Sequence, residues 1–133
     1  MKYETLEIAA RAGVAPWDLK VKELSDFHVA VFQDRFPVTR GHLLFVPRYN
    51  TPTVIVDAFE SALRHGDQLV ADGVCHAYNV GINMGRAAGQ TVMYPHVHLI
   101  PRRDGDCEDP VGGVRGVIAG QANYKKPGYQ GLA

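Results

Sequence analysis

The stretch that decides the fold runs Gly89-Gln-Thr-Val-Met-Tyr-Pro-His-Val-His-Leu-Ile-Pro101. Apolar and polar side chains alternate along it, which predicts a β-strand over residues 92–101. Because neighbouring side chains of a strand point to opposite faces, Tyr94, His96 and His98 are expected to lie together on one face. The sequence therefore predicts a polar row with two imidazoles above an apolar underside.

Around this strand, the periodicity of the chain predicts further elements of two kinds. A short helix is expected over residues 4–12 and a long helix over residues 54–78. Short connections between the strands favour antiparallel pairing, so we expect an α+β fold. Its core is an antiparallel β-sheet of about five strands with one main helix and a short N-terminal helix. The other predicted strands cover residues 19–22, 27–32, 42–46 and 79–83.

The long helix is predicted from apolar side chains that recur at helical spacing. These residues are expected to form the stripe that packs on the sheet. They are Val56, Phe59, Leu63, Leu69, Val70 and Val74.

Bulk composition limits the classes of function that remain. The 133 residues, 46% of them hydrophobic, fit one domain over residues 1–133, with a Gly-rich tail over 104–133. Lys plus Arg and Asp plus Glu number 14 each, so no positive excess is present to hold a nucleic-acid backbone. Cys75 and Cys107 form neither a disulfide framework nor a zinc knuckle. Without an apolar run of membrane-spanning length or a signal peptide, we expect a cytoplasmic protein that binds a small molecule.

The paired histidines carry the candidate chemistry, and the His-x-His pattern alone leaves three hypotheses open. Because the pKa of an imidazole is about 6.5, one ring can be a neutral nucleophile while its neighbour carries a proton. Neutral imidazoles are also common zinc ligands, and His42 is available as a distant third ligand. The third hypothesis is a pair of half-buried histidines whose hydrogen bonds serve only the fold.

A glycine-rich turn, Asn83-Met-Gly-Arg-Ala-Ala-Gly-Gln-Thr91, precedes the histidines. Its glycines free backbone N–H groups, and Gln90 and Thr91 add side-chain donors, so the turn can cradle phosphoryl oxygens. Further upstream, the carboxylate of Asp34 follows an apolar strand and can hold a ribose diol. The alternatives are an ordinary hairpin loop and an Asp that only opens the turn before Pro37.

Two blocks of this sequence resemble the signatures of the histidine triad (HIT) superfamily of nucleotide hydrolases and transferases. The first block runs from Asn83 to Arg102. The second is Asp34-Arg-Phe-Pro-Val-Thr-Arg-Gly-His-Leu-Leu-Phe-Val-Pro47, in which an Asp precedes a Pro and a Gly-His pair opens a strand. With the helix between them, the blocks cover residues 27–103. The resemblance implies a HIT-like fold and chemistry at the α-phosphorus of a nucleotide.

The resemblance also implies roles for individual residues. His96 corresponds to the histidine that attacks the α-phosphorus and is transiently nucleotidylated, and His98 to the one that contacts phosphate and supports the leaving group. Asn83 corresponds to a contact to phosphate or sugar. The other correspondences place Asp34 at the ribose, Gly89, Gln90 and Thr91 at the phosphate, and His42 behind the reacting groups.

One position departs from the family pattern, because Tyr94 stands where the family has its first histidine. A phenol can donate or accept a hydrogen bond, but it does not become cationic as an imidazole does. The expected activity is hydrolysis or nucleotidyl transfer at the α-phosphate of a nucleoside phosphoramidate or dinucleoside polyphosphate. The alternative is a nucleotide-binding module with little or no turnover.

The resemblance implies partners and cofactors as well. It implies a nucleotide substrate, a homodimer and no obligatory cofactor or metal. Magnesium is compatible with a polyphosphate substrate.

Overall fold

Four antiparallel strands form a single sheet in a computed structural model that describes residues 2–131. The strands are β1 (Val29–Gln33), β2 (Leu43–Pro47), β3 (Ala77–Ile82) and β4 (Val97–Arg102), in the spatial order β1-β2-β4-β3. Two helices accompany them, α1 (Leu6–Arg11) and α2 (Pro52–Ala71). The predicted α+β architecture with one main helix is confirmed, with four strands rather than about five.

The predicted strand over residues 19–22 is absent from the sheet. Lys20 makes one isolated bridge to Phe32, and the N–H of Val21 donates to the carbonyl of Val31 at 2.7 Å. Residues Lys22–Leu24 then close into a 3₁₀ turn, which ends the pairing. This segment therefore covers the edge of β1 with too few hydrogen bonds to form a fifth strand.

The histidine-bearing strand begins later than its sequence pattern predicts. Pairing of β4 with β2 and β3 starts at Val97, whereas the pattern predicts a strand from residue 92. Pro95 has no N–H to donate to a ladder, so the chain joins the sheet only after it. The alternation rule of a strand applies to His98 but not to Tyr94 and His96.

The sheet is covered on both faces by apolar residues that alternate along its strands. Side chains such as Val31, Phe45 and Leu99 belong to the cluster under α2. The opposite face packs Phe32 and Leu44 against α1 and the segment that follows it. His98 is the register partner of Leu44, and directly opposite residues share a face. The sheet thus presents His98 on the face away from α2.

Helix α2 begins and ends at recognisable signals. The side chain of Thr51 accepts from the N–H of Val54 at 3.3 Å, and Pro52 occupies the first turn. Asp72 caps the other end, and Gly73 follows with a positive φ of 73°. The helix predicted over residues 54–78 therefore ends at residue 71. No helix among the described residues combines the length and the hydrophobicity needed to cross a bilayer.

The face that α2 presents to the sheet consists of small residues, and the predicted apolar stripe is only partly correct. Phe59 and Leu69 pack against the core, whereas the fully buried positions are Ala58, Ala62 and Gly66. A Cβ at Gly66 would lie 2.8 Å from the ring of Tyr78, so the helix lies very close to β3. The remaining members of the predicted stripe, Val56, Leu63, Val70 and Val74, are exposed.

Among the described residues, those from 103 to 131 form a second compact unit. Its short 3₁₀ helix, Gly113–Val117, carries Arg115. The guanidinium of Arg115 lies 5.1 Å from the ring centre of Tyr124 and donates to the hydroxyl of Tyr129 at 2.9 Å. Cation–π and hydrogen-bond contacts therefore organise this glycine-rich unit.

Candidate active site

A cleft of about 500 Å³ lies on the side of the sheet that carries His98. This volume falls within the range of about 300–1,000 Å³ that is usual for small-molecule sites. Most of the residues predicted to bind or transform substrate line it. They are Asp34, His42, Asn83, Gly89, Thr91, His96 and His98.

The imidazole of His96 is held by its own backbone. Its Nδ1 lies 2.8 Å from the carbonyl oxygen of Tyr94, and a carbonyl can only accept, so Nδ1 carries the proton. In the neutral ring, Nε2 then has a free lone pair. His96 is only 8% exposed, and this burial is the main reason that the pKa of its imidazole is lowered.

The neighbouring ring of His98 carries its proton on Nε2 instead of Nδ1. A chain of hydrogen bonds from Val38 through His42 to His98 determines this position. The N–H of Val38 donates to Nδ1 of His42 at 3.1 Å, so the proton of neutral His42 is on Nε2. That Nε2 lies 2.9 Å from Nδ1 of His98 and donates to it. The proton of neutral His98 is therefore on its own Nε2. The two neighbouring rings, with centres 5.1 Å apart, offer one lone pair and one N–H.

Burial keeps this cluster neutral at physiological pH. It lowers the pKa of His98 to about 4, with the nearby His96 and His42 adding to the effect. The pKa of His42 is lowered by burial too, while the carboxylate of Asp34 partly opposes the shift. Neutral imidazoles are what a nucleophile and a fixed hydrogen-bond chain require at pH 7.

Asp34 connects the cleft to the histidine chain. One carboxylate oxygen accepts from the N–H of Phe36 at 2.8 Å, and the other lies 3.4 Å from Nε2 of His42. The ligand atoms of Asp34, His42 and His98 lie within 4.8 Å of one another, as in a metal site. A metal ion on Nε2 of His42 would require a proton on Nδ1, which would then face the N–H of Val38. The hydrogen bonds therefore oppose the zinc hypothesis at this cluster.

The glycine-rich turn is stabilised largely by its own hydrogen bonds. The N–H groups of Ala88 and Gln90 donate to the carbonyl of Gly85, at 3.1 Å each. The buried amide of Gln90 accepts from the N–H of Gly85 at 2.7 Å and donates to the carbonyl of Val92 at 3.0 Å. Gln90 is therefore directed into the turn and does not line the cleft, unlike Thr91 beside it.

Tyr94 does not share the face of the two histidines, so the alternation predicted for it is wrong. Its side chain is fully buried in the apolar cluster that includes Ala9 and Ala15, and its hydroxyl donates to the carbonyl of Pro47 at 2.7 Å. The phenol serves packing, and the residue reaches the site through its carbonyl, which holds His96.

Residues 16–18 form one side of the cleft, which the sequence did not predict. Trp17 lines the cleft, and its ring centre lies 4.9 Å from that of His96. Asp18 pairs with Arg35 at the same cleft. One signal was available, because Trp17 is the sole tryptophan of the chain and follows Pro16 in a segment with no clear periodicity.

Comparison with known proteins identifies the family. The sequence profile of the HIT domain matches residues 20–105, which is more than half of the chain. The protein therefore belongs to the HIT domain family, as its two signature blocks predicted. It is 33% identical over 102 residues to the uncharacterized HIT-like protein MT1300 of Mycobacterium tuberculosis (strain CDC 1551 / Oshkosh), covering 71% of this chain and 69% of that protein.

Two similar proteins carry enzyme names. Adenylylsulfatase HINT3 of Arabidopsis thaliana is 31% identical over 81 residues, covering 56% of this chain and 41% of that protein. The asymmetrical bis(5'-nucleosyl)-tetraphosphatase of Schizosaccharomyces pombe is 34% identical over 84 residues, covering 58% of this chain and 46% of that protein. Each match thus spans less than half of the enzyme's length.

Solved structures agree with the fold. A zinc-bound histidine triad family protein from Mycobacterium smegmatis superimposes with a TM-score of 0.61 at 30% identity, covering 74% of each chain. A HIT family protein from Bacillus anthracis gives a TM-score of 0.61 at 28% identity, covering 80% of this chain and 78% of that one.

Proposed function

We propose that this protein is a nucleotide hydrolase or nucleotidyl transferase that acts at the α-phosphate of a nucleoside phosphoramidate or dinucleoside polyphosphate. One observation carries the proposal. Hydrogen bonds fix His96 with a lone pair on Nε2 and His98 with a proton on Nε2, and both rings line one cleft. A nucleophile beside a hydrogen-bond donor is the arrangement that attack on a phosphoryl group requires.

The reaction follows as a double displacement. Nε2 of His96 attacks the α-phosphorus, and the bond to the leaving group breaks with its electron pair going to that group. The new bond makes the ring of His96 cationic, and its Nδ1–H continues to donate to the carbonyl of Tyr94. In hydrolysis, water then attacks the phosphorus and gives up one proton, which passes through solvent to the departed leaving group. The P–N bond breaks, and its electrons restore the lone pair on Nε2.

Negative charge on the phosphoryl oxygens must be stabilised by hydrogen-bond donors that are not already engaged within the protein. The Nε2–H of His98 is one of them, and Thr91 and Asn83 line the same cleft. The N–H groups that stay within the glycine-rich turn are excluded from this role. Asp34, whose carboxylate lines the cleft beside His42, is the candidate partner of the ribose hydroxyls.

The names of two similar proteins, an adenylylsulfatase and a bis(5'-nucleosyl)-tetraphosphatase, support a nucleotide substrate. The chemistry assigned to His96 and His98 requires no metal ion, although Mg²⁺ is compatible with a polyphosphate substrate. Tyr94, which stands where the family has its first histidine, is given no part in the chemical step.

Turnover of an adenosine phosphoramidate and of a dinucleoside tetraphosphate tests the proposal. His96→Ala is expected to lower kcat at least about 10³-fold while AMP binding stays within about 3-fold, because it removes the nucleophile. His28→Ala is the control, since His28 is exposed and pairs with Asp57 away from the cleft. Equal inertness of the wild type and His96→Ala, with AMP still bound, would favour the binding module instead.

We also propose that the protein forms a homodimer. Strand β3 ends the sheet with its outer edge unpaired within residues 2–131. Helix α2 exposes Val56, Leu63 and Val70, which are spaced seven residues apart on one side of the helix. Light scattering should give twice the chain mass, and Leu63→Lys should reduce it; a monomeric wild type would refute this assembly.

A further inference from the structure

Trp17 belongs to a segment that lies before the span matching the HIT domain profile, which begins at residue 20. Its ring nevertheless contacts the imidazole of His96, with centres 4.9 Å apart and planes inclined by 56°. We propose that Trp17 is a positioning residue that holds the ring of His96 in its reactive orientation. This inference rests on the proposed function, because the ring it positions is the proposed nucleophile.

The segment that carries Trp17 is fixed at both ends by backbone hydrogen bonds. Before it, the N–H of Leu6 donates to the carbonyl of Arg48 at 3.0 Å, and the N–H of Asn50 donates to the carbonyl of Glu4 at 2.9 Å. After it, the N–H of Gln33 donates to the carbonyl of Leu19 at 2.8 Å. Trp17 therefore lies between two points at which the chain is tied down, to the segment after β2 at Leu6 and to β1 at Leu19.

Packing beneath the segment restrains it further. Val14 and Trp17 pack against the cluster that contains the buried Tyr94. The indole also lies 6.1 Å from the ring of Phe32. The tryptophan is thus part of a packed wall rather than a loose side chain over the cleft.

The ring of His96 has two aromatic neighbours. Trp17 is 4.9 Å from it, and His98 is 5.1 Å from it. If His96 turned about its Cβ–Cγ bond, Nδ1 would leave the carbonyl of Tyr94 and Nε2 would leave its place in the cleft. Removing the indole opens the space that such a rotation needs and admits water to the ring.

Charges around His96 determine how its titration should respond. Burial lowers its pKa, whereas the hydrogen bond to the carbonyl of Tyr94 and the carboxylate of Asp34 oppose that effect. His98, two residues further along the chain in β4, is the neighbouring titratable ring, and its own lowered pKa keeps it neutral near pH 7. Loss of Trp17 should therefore raise the pKa of His96 toward its ordinary value, because burial is the effect it removes.

The full chain is compared as wild type, Trp17→Ala, Trp17→Phe and Val14→Ala. Nuclear magnetic resonance follows the protonation of the His96 ring, and kinetics give kcat and KM against pH. Trp17→Ala should raise the pKa of His96 and lower kcat about 10-fold to 100-fold, with KM within about 3-fold. Trp17→Phe should restore most of both values, because it keeps an aromatic ring in contact.

Val14→Ala is the matched control, because Val14 packs against the same cluster but is not among the residues that line the cleft. It should lower the thermal midpoint while leaving the pKa of His96 and kcat unchanged. The proposal is overturned if Trp17→Ala behaves like Val14→Ala, or if Trp17→Phe is as impaired as Trp17→Ala. Absence of turnover in the wild type would refute the proposed function alone, because the ring titration still reports whether Trp17 holds His96.

Discussion

Nε2 of His42 donates a hydrogen bond to Nδ1 of His98 across 2.9 Å, and this bond places the proton of neutral His98 on its Nε2. His42→Leu removes the donor, so His98 is free to place its proton on Nδ1 and lose its N–H toward the phosphate. We expect kcat to fall about 10-fold to 100-fold while AMP binding changes less.

His65→Leu provides the matched comparison for that variant. His65 is a half-buried histidine whose pKa, like that of His42, is lowered by burial, but it packs near Phe45 on the α2 side of the sheet. Its replacement should leave kcat unchanged. Equal losses of kcat in both variants would show that these buried imidazoles matter only for folding.

Stability should fall as the pH drops from about 6.5 toward about 4. The folded protein holds His98 with a pKa of about 4, below its ordinary 6.5, so below 6.5 the unfolded chain binds more protons than the folded one. The contribution of His98 to the free energy of unfolding is fully present above pH 6.5. Its complete loss, below pH 4, lowers that free energy by about 3 kcal/mol. Urea unfolding at pH 7.5 and pH 4.5 measures it.

Because carboxylates also titrate in that window, the comparison must be made between variants. His98→Asn should weaken the pH dependence of the free energy of unfolding, whereas the exposed His28→Asn should retain it. A pH dependence of the same steepness in His98→Asn and the wild type would contradict the neutral, buried state assigned to His98.

Gly66→Ala should destabilise the protein although alanine is the better helix former. Alanine gains about 1 kcal/mol of helix propensity, but its Cβ would lie 2.8 Å from the ring of Tyr78. Overpacking of this kind costs about 1–3 kcal/mol. Thermal and urea unfolding should show a net loss, and the same substitution in a Tyr78→Leu background should be neutral or stabilising. A stabilised Gly66→Ala single variant would contradict the close contact.

Tyr94→Phe tests whether the hydroxyl of Tyr94 contributes to stability alone or also to turnover. The hydroxyl donates to the carbonyl of Pro47 inside an apolar cluster, so its loss should cost about 1–3 kcal/mol of unfolding free energy. The carbonyl of Tyr94, which holds His96, is retained. We therefore expect kcat within about 3-fold of the wild type, and a much larger fall would assign the phenol a part in the reaction.

Local patterns predicted the elements and the histidine pair well. The apolar run around Phe45 and the helical period after Thr51 depend on neighbouring residues, and both elements appear close to their predicted places. The bend before β4 was missed because a proline leaves the ladder without altering the pattern of hydrophobicity. As a consequence, Tyr94 was placed on the wrong face.

The features that the sequence did not predict depend on packing between residues that are distant in the chain. The buried side of α2 is made of small residues such as Ala62, because the distance to the sheet allows no larger ones there. Gln90 has the same donors as any amide, and only the closure of the turn shows that both ends of its side chain are used. Trp17 is 79 residues before His96 in sequence, so no local period relates them.

The position of Trp17 also bears on where the borders of this domain should be drawn. A domain trimmed to the borders of shared similarity, residues 20–105, would keep all the histidines discussed above. It would lack one side of the cavity and the aromatic surface against the proposed nucleophile. The borders of shared similarity therefore cut through the lining of this cleft, and a domain defined by similarity alone would be smaller than the one that encloses it.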